Sequence, residues 1–115
     1  MSYVSHHAII VTSNGYDSAD QRLREAHDYA NKHFGALTSQ IISSVFNGYK
    51  TFFVAPDGSK EGWDESDEHD IKRDNFIKIL DDMMYDDGSG PIRYAEVRYG
   101  TDDCDQLTTT VTRSN

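Results

Sequence analysis

Asn47-Gly48 stands between two runs rich in β-branched and aromatic residues, Ile41 to Phe46 and Tyr49 to Ala55. Asn-Gly in that setting is a hairpin signal with a mechanism, because both residues of the turn must take positive φ, which Asn tolerates and Gly adopts freely. The middle of the chain is therefore expected to be two antiparallel strands, and the flanking segments must be arranged around them. Pro56-Asp57-Gly58-Ser59 closes the second strand with turn chemistry.

On the N-terminal side, Tyr3 to Thr12 is rich in β-branched residues and ends at Ser13-Asn14-Gly15, so it reads as a strand. Ser18-Ala19-Asp20-Gln21 has capping-box spacing, with Ser18 as the expected N-cap. Ala19, Leu23, Ala26, Ala30 and Phe34 then recur at helical steps, and Gly35 supplies the stop. On the C-terminal side, Ile71, Phe76, Ile77, Leu80, Met83 and Met84 predict a second helix over about 67–85. Asp64 to Asp67 offer its N-caps, and Asp86 to Pro91 end it. Ile92 to Tyr99 reads as a fourth strand, and Leu107 to Thr112 as a fifth paired to it across Gly100 to Asp105.

The order β-α-β-β-α-β with an extra C-terminal strand predicts an α+β fold of the ferredoxin-like, split βαβ kind: an antiparallel sheet with both helices on one face. Strands one and three are expected at its centre. A chain of 115 residues forms one domain, 1–115, with a single modest core. The lone Cys104 excludes an internal disulfide and fits a reducing compartment. No apolar run approaches the roughly 20 residues that span a bilayer, so a cytoplasmic protein is expected.

Charge is distributed very unevenly. Residues 57–87 hold 12 of the 20 acids against 4 bases, whereas acids and bases balance before residue 57. A formal charge of −9 disfavours direct contact with nucleic acid or an anionic membrane and favours basic partners. The expected acidic face comprises Asp64, Glu65, Asp67, Glu68, Asp70, Asp74, Asp81 and Asp82. Glu68–Lys72 and Asp74–Lys78 are i,i+4 pairs worth about 0.3–0.5 kcal/mol each. The bland reading of the same charges is a solvated outer helix face. Trp63, in the polar loop before this helix, is either a lid over the core or an anchor for a partner.

Other motifs carry little chemistry. Asp57, Ser59, Glu61, Gly62 and Glu68 fall at positions 1, 3, 5, 6 and 12 of a calcium loop. Position 8 is Asp64 where an apolar residue is usual, and a strand precedes the loop instead of a helix. Asp57 followed by Asp70-Ile71-Lys72 imitates a metal-dependent nuclease set, but in a segment that would repel a phosphodiester. His6 and His7 point to opposite faces of a strand, His27 and His33 lie on different sides of a helix, and His69 stands among carboxylates. No phosphate loop, nucleophile elbow or zinc spacing is present, and Cys104 sits in an acidic turn where a thiolate is disfavoured. Neither a cofactor nor a catalytic residue is indicated.

Ser5-His6-His7-Ala8-Ile9, Asn47-Gly48-Tyr49, Ala55 to Trp63, Asp87-Gly88-Ser89 and Glu96-Val97-Arg98-Tyr99-Gly100 together resemble small acidic proteins encoded by bacteriophages. That family brings no catalytic residue. The resemblance implies action in a bacterial host cytoplasm and a size class rich in host-directed inhibitors. The leading expectation is a non-enzymatic accessory protein whose acidic face binds a basic host protein, imitating a nucleic-acid phosphate array. An alternative is a small-molecule-binding module or enzyme, with His7, Arg93 or Tyr94 lining a pocket at a sheet-face homodimer interface. A third is a minor virion or assembly component.

Overall fold

The computed structural model describes residues 6–14, 17–59, 62–83, 90–100 and 110–115. The chain order is β1 (His6–Ser13), α1 (Asp17–Phe34), β2 (Ile42–Ser43), β3 (Lys50–Val54), α2 (Asp64–Asp82), β4 (Ile92–Tyr99) and β5 (Thr110–Ser114), with a 3-10 turn at Gly35–Leu37. All five strands join one antiparallel sheet in the order β2-β3-β1-β4-β5. The expected class, α+β with two helices and an antiparallel sheet, is what forms. The sheet is not the four-stranded ferredoxin-like plan as such: β5 lies beyond β4 and takes over that edge.

Alternation along the strands decides which side the helices cover. Ile9 and Val11 of β1, Phe52 and Val54 of β3, and Ile92 and Tyr94 of β4 point to one face. There they meet Leu23, Ala26, Ala30 and Phe34 of α1 and Phe76, Ile77 and Leu80 of α2. Phe76 is the hub of this core. Its ring lies 5.7 Å from that of Phe34, 5.9 Å from Tyr29 and 6.4 Å from Phe52, so one side chain joins both helices to the sheet.

The Asn-Gly turn forms as its residues require, with φ of 65° at Asn47 and 70° at Gly48. The Ser44 N–H donates to the Tyr49 carbonyl at 2.8 Å and closes the hairpin. β2 is nevertheless only two residues long, and Val45 and Phe46 lie in an exposed tip instead of a strand. β5 runs from Thr110 to Ser114, two residues past the expected Thr112, while the expected start at Leu107 lies outside the described residues; a bulge at Glu96/Val97 adjusts its register to β4. α1 starts at Asp17, and the capping side chain expected of Ser18 lies outside the described residues, as do Met84 and Cys104.

α2 departs from expectation in frame and in start. It begins at Asp64, with Trp63 as an extended N-cap residue that makes no side-chain cap. The carboxylates of Asp64, Glu65 and Asp67 fall inside the first turn, where the helix dipole favours them, and do not act as caps. Ile71, expected in the core, is 61% exposed, while Arg73 is buried on the inner face. Steps of three, four and seven back from Phe76, Ile77 and Leu80 all reach position 73, so the phase of the apolar stripe itself turns Arg73 inward and leaves Ile71 on the outer side.

Two substitutions on this helix test the frame. Phe76→Ala is expected to cost about 3–5 kcal/mol in urea unfolding because it empties the point where both helices meet the sheet. Ile71→Ala is expected to stay within about 0.5 kcal/mol of the parent, as for other surface changes.

Candidate functional site

Glu96 occupies the inward-facing parity of β4, in line with Ile92 and Tyr94, and is 3% exposed. Two elements supply its partners. From β5, Arg113 donates from Nε to Oε1 at 2.9 Å and from Nη2 to Oε2 at 2.8 Å, a bidentate fork. Thr112 donates its hydroxyl to Oε1 at 2.7 Å. From α2, Arg73 Nε lies 4.0 Å from Oε2. Burial by itself would raise the Glu96 pKa. The hydrogen bonds from Arg113 and Thr112, with the charges of Arg113 and Arg73, outweigh it and hold the carboxyl below its ordinary range. Donating to Glu96 pushes Arg113 up against the opposing effect of burial, so it stays charged.

The same arginines reach the acidic helix. Arg113 Nη1 donates to Asp74 Oδ1 at 2.6 Å, and Arg73 pairs with Asp70. The Tyr94 hydroxyl donates to Asp81 Oδ1 at 2.6 Å. Burial first, then this bond to Asp81, pushes the phenol up to about 12, so it remains a donor. Three of the eight expected face residues, Asp70, Asp74 and Asp81, are thus drawn into contacts that bind α2 to itself, β5 and β4. Asp64, Glu65, Asp67, Glu68 and Asp82 stay exposed, with no ion pair among the described residues. The first four form one group at the helix start. Asp82 lies apart from them, about 20 Å along the axis at 1.5 Å per residue. Trp63, 47% exposed, directly precedes that group.

Asp57 is held locally. Its Oδ1 accepts from the Ser59 N–H at 3.1 Å, its Oδ2 accepts from the Ser59 hydroxyl at 2.9 Å, and His69 Nδ1 is 3.5 Å away. Of the calcium-loop residues, Asp57 and Ser59 are therefore together, Glu68 is exposed on α2, and Glu61 lies outside the described residues. No group of three or more His, Cys, Asp or Glu among the described residues is arranged to hold a metal.

The histidines have structural surroundings. His27 Nε2 donates to the Ser39 carbonyl at 2.8 Å while Nδ1 accepts from Asn31 at 3.3 Å, tying α1 to the segment before β2. His33 packs on Tyr29 and His6 on Tyr99. His7 pairs with Arg98 in register and so faces the helix side. Of the residues expected to line a sheet-face pocket, Arg93 and Tyr94 border one depression, although the Tyr94 ring turns to the helix side, and His7 is not part of it. On the open face, Ile10, Thr12, Arg93, Tyr94 and Ala95 line a depression of about 240 Å³, open to solvent. That is below the 300–1,000 Å³ of typical ligand pockets.

Sequence reasoning missed Glu96, Arg73 and Arg113. The signal was present: an acid at the inward parity of an otherwise apolar strand, with an arginine near the end of the next strand. No helix among the described residues is long and apolar enough to cross a membrane. No protein-family model, curated protein sequence or solved structure matches the chain.

Glu96→Gln keeps the shape but removes the charge that both arginines answer, and is expected to cost about 2 kcal/mol at neutral pH, the scale of a charged hydrogen bond. The depressed pKa also fixes a sign. Its contribution is complete above the unfolded carboxylate value of about 4.3 and is lost as pH falls through the lower folded value. Urea midpoints measured from pH 6 to pH 2 should therefore fall less steeply below about pH 4 in Glu96→Gln than in the parent.

Proposed function

We propose that this chain is a non-enzymatic accessory protein of the bacteriophage type that acts by binding a basic host protein in the bacterial cytoplasm. The contact is made by the start of α2. The observation that carries this reading is the group Asp64, Glu65, Asp67 and Glu68: four exposed carboxylates within five residues, with no cation paired to them among the described residues. The positive end of the helix dipole offsets only about half an elementary charge there, so the group presents a strongly negative field. Trp63 beside it supplies an aromatic surface of the kind that anchors interfaces. A row of carboxylates is chemically similar to a phosphate backbone, and a basic nucleic-acid-binding surface suits both.

The same reading takes the connectivity as a ferredoxin-like split βαβ unit. The β2-β3-β1-β4 part of the sheet order, with α1 and α2 on one face, supports it, and β5 is an addition.

The test is capture from bacterial lysate at two salt concentrations. Capture by wild type should recover a basic protein near 0.1 M salt, where the screening length is about 10 Å, and lose it near 1 M, where it is about 3 Å. The combined variant Asp64→Asn, Glu65→Gln, Asp67→Asn, Glu68→Gln should lose it at both. A partner retained at high salt, or by the variant, removes the charge-mimicry reading.

A further inference from the structure

The helices cover one face of the sheet, and the other is apolar across its middle. Register places Phe53, Ile10, Ala95 and Ser114 in one row across β3, β1, β4 and β5, with Ala8, Val97 and Val111 in the next. A sheet face turned to water normally carries polar side chains. Here ten large hydrophobics are exposed among the described residues. Five of them (Ile10, Ile42, Phe53, Tyr99 and Val111) lie on this face, and three more (Val45, Phe46 and Tyr49) lie in the adjoining β2–β3 hairpin.

The charge pattern narrows the occupant. The chain has 20 acids, yet no Asp or Glu occupies this face among the described residues. Its charged side chain is Arg93, in the end row with Thr12 and Thr51, whose hydroxyls hydrogen-bond at 3.0 Å. An apolar middle with a polar rim is the usual anatomy of an interface. A charged partner would find little here to recognise. A second copy presents the same apolar middle, with Arg93 confined to the end row, which is the self-complementary surface a two-fold contact requires. At about 4.8 Å between strands and 3.3 Å per residue, five strands of up to eight residues give a face on the order of 500 Å². Two such faces bury about 1,000 Å², the lower bound for a specific interface, before the hairpin tips are added.

We propose that this chain is a homodimer formed by packing the open sheet faces of two copies against each other. The contact is independent of the acidic start of α2, which stays outside it. Sedimentation velocity on the full chain, from low to high micromolar, is expected to give a mass near twice 13.0 kDa. Phe53→Glu and Val111→Glu should each bring it to 13.0 kDa, with circular dichroism unchanged. Val111 is 63% exposed, so that variant tests the face without disturbing the core. Ile71→Glu, at a site just as exposed but on α2, should leave the dimer intact. Raising salt should strengthen the dimer, because copies of like charge repel, whereas it weakens contacts made by the acidic group. A 13.0 kDa mass for the parent throughout that range, or a dimer retained by both face variants, overturns the proposal.

Discussion

The carboxylate of Glu96 is the group on which the C-terminal half of this protein depends. An ionised acid at 3% exposure is costly unless its oxygens are fully engaged, and its partners come from two different elements. Arg113 can reach Glu96 only if β5 lies beside β4, and Arg73 only if α2 turns that position inward. One buried charge therefore engages the edge strand beside it and the inner face of a helix. The bulge at Glu96/Val97 falls at the same point, which is consistent with local backbone adjustment to place Thr112 and Arg113 on the acid.

This arrangement also explains which acids remain available. Asp74 shares Arg113 with Glu96, and Asp81 accepts from Tyr94, so carboxylates that read from sequence as part of an outer face serve instead to fasten α2 to the sheet. Such contacts form where α2 runs beside β4 and β5. The start of the helix, at Asp64 to Glu68, takes no part in them, and its charge stays unspent. The division within the acidic segment is thus a consequence of where Arg73, Arg113 and Tyr94 lie, not of where the acids are.

Local signals were legible where chain geometry alone decides. Ile92–Tyr99 is bounded by Gly90-Pro91 and Gly100, and its expected limits match the strand. Asn47-Gly48 located the hairpin because positive φ is a property of single residues. What was not legible depends on distant partners. Ile71 is expected inside for being apolar, yet three- and four-residue steps from Phe76, Ile77 and Leu80 lead to Arg73, whose burial becomes understandable only once Asp70 and the buried Glu96 are seen beside it. β2 was read as longer because Val45 and Phe46 suit a strand, yet β3 pairs with only two residues there. The exposed middle of the acidic face could not be divided into engaged and open groups without knowing that β5 reaches Asp74.

Two surfaces of opposite character follow: an acidic helix start and a sheet face that carries no acid among the described residues. A net charge of −9 raises the question of whether two copies could approach at all. With the shorter molecular dimensions at 27 and 26 Å, face-to-face centres lie about 26 Å apart. Unscreened in water, charges of −9 at that distance repel by about 13 kcal/mol. With a screening length of about 8 Å at physiological ionic strength, the repulsion falls to about 0.5 kcal/mol, and at 0.01 M, where the length is about 30 Å, it stays near 5 kcal/mol. Apolar burial on the scale of 25 cal/mol per Å² outweighs the first readily and the second far less so. With acids at the helix start and none on the sheet face among the described residues, the proposed self-association is governed by contact chemistry at physiological ionic strength, and the proposed charged contact rests on the short-range field of the acidic group.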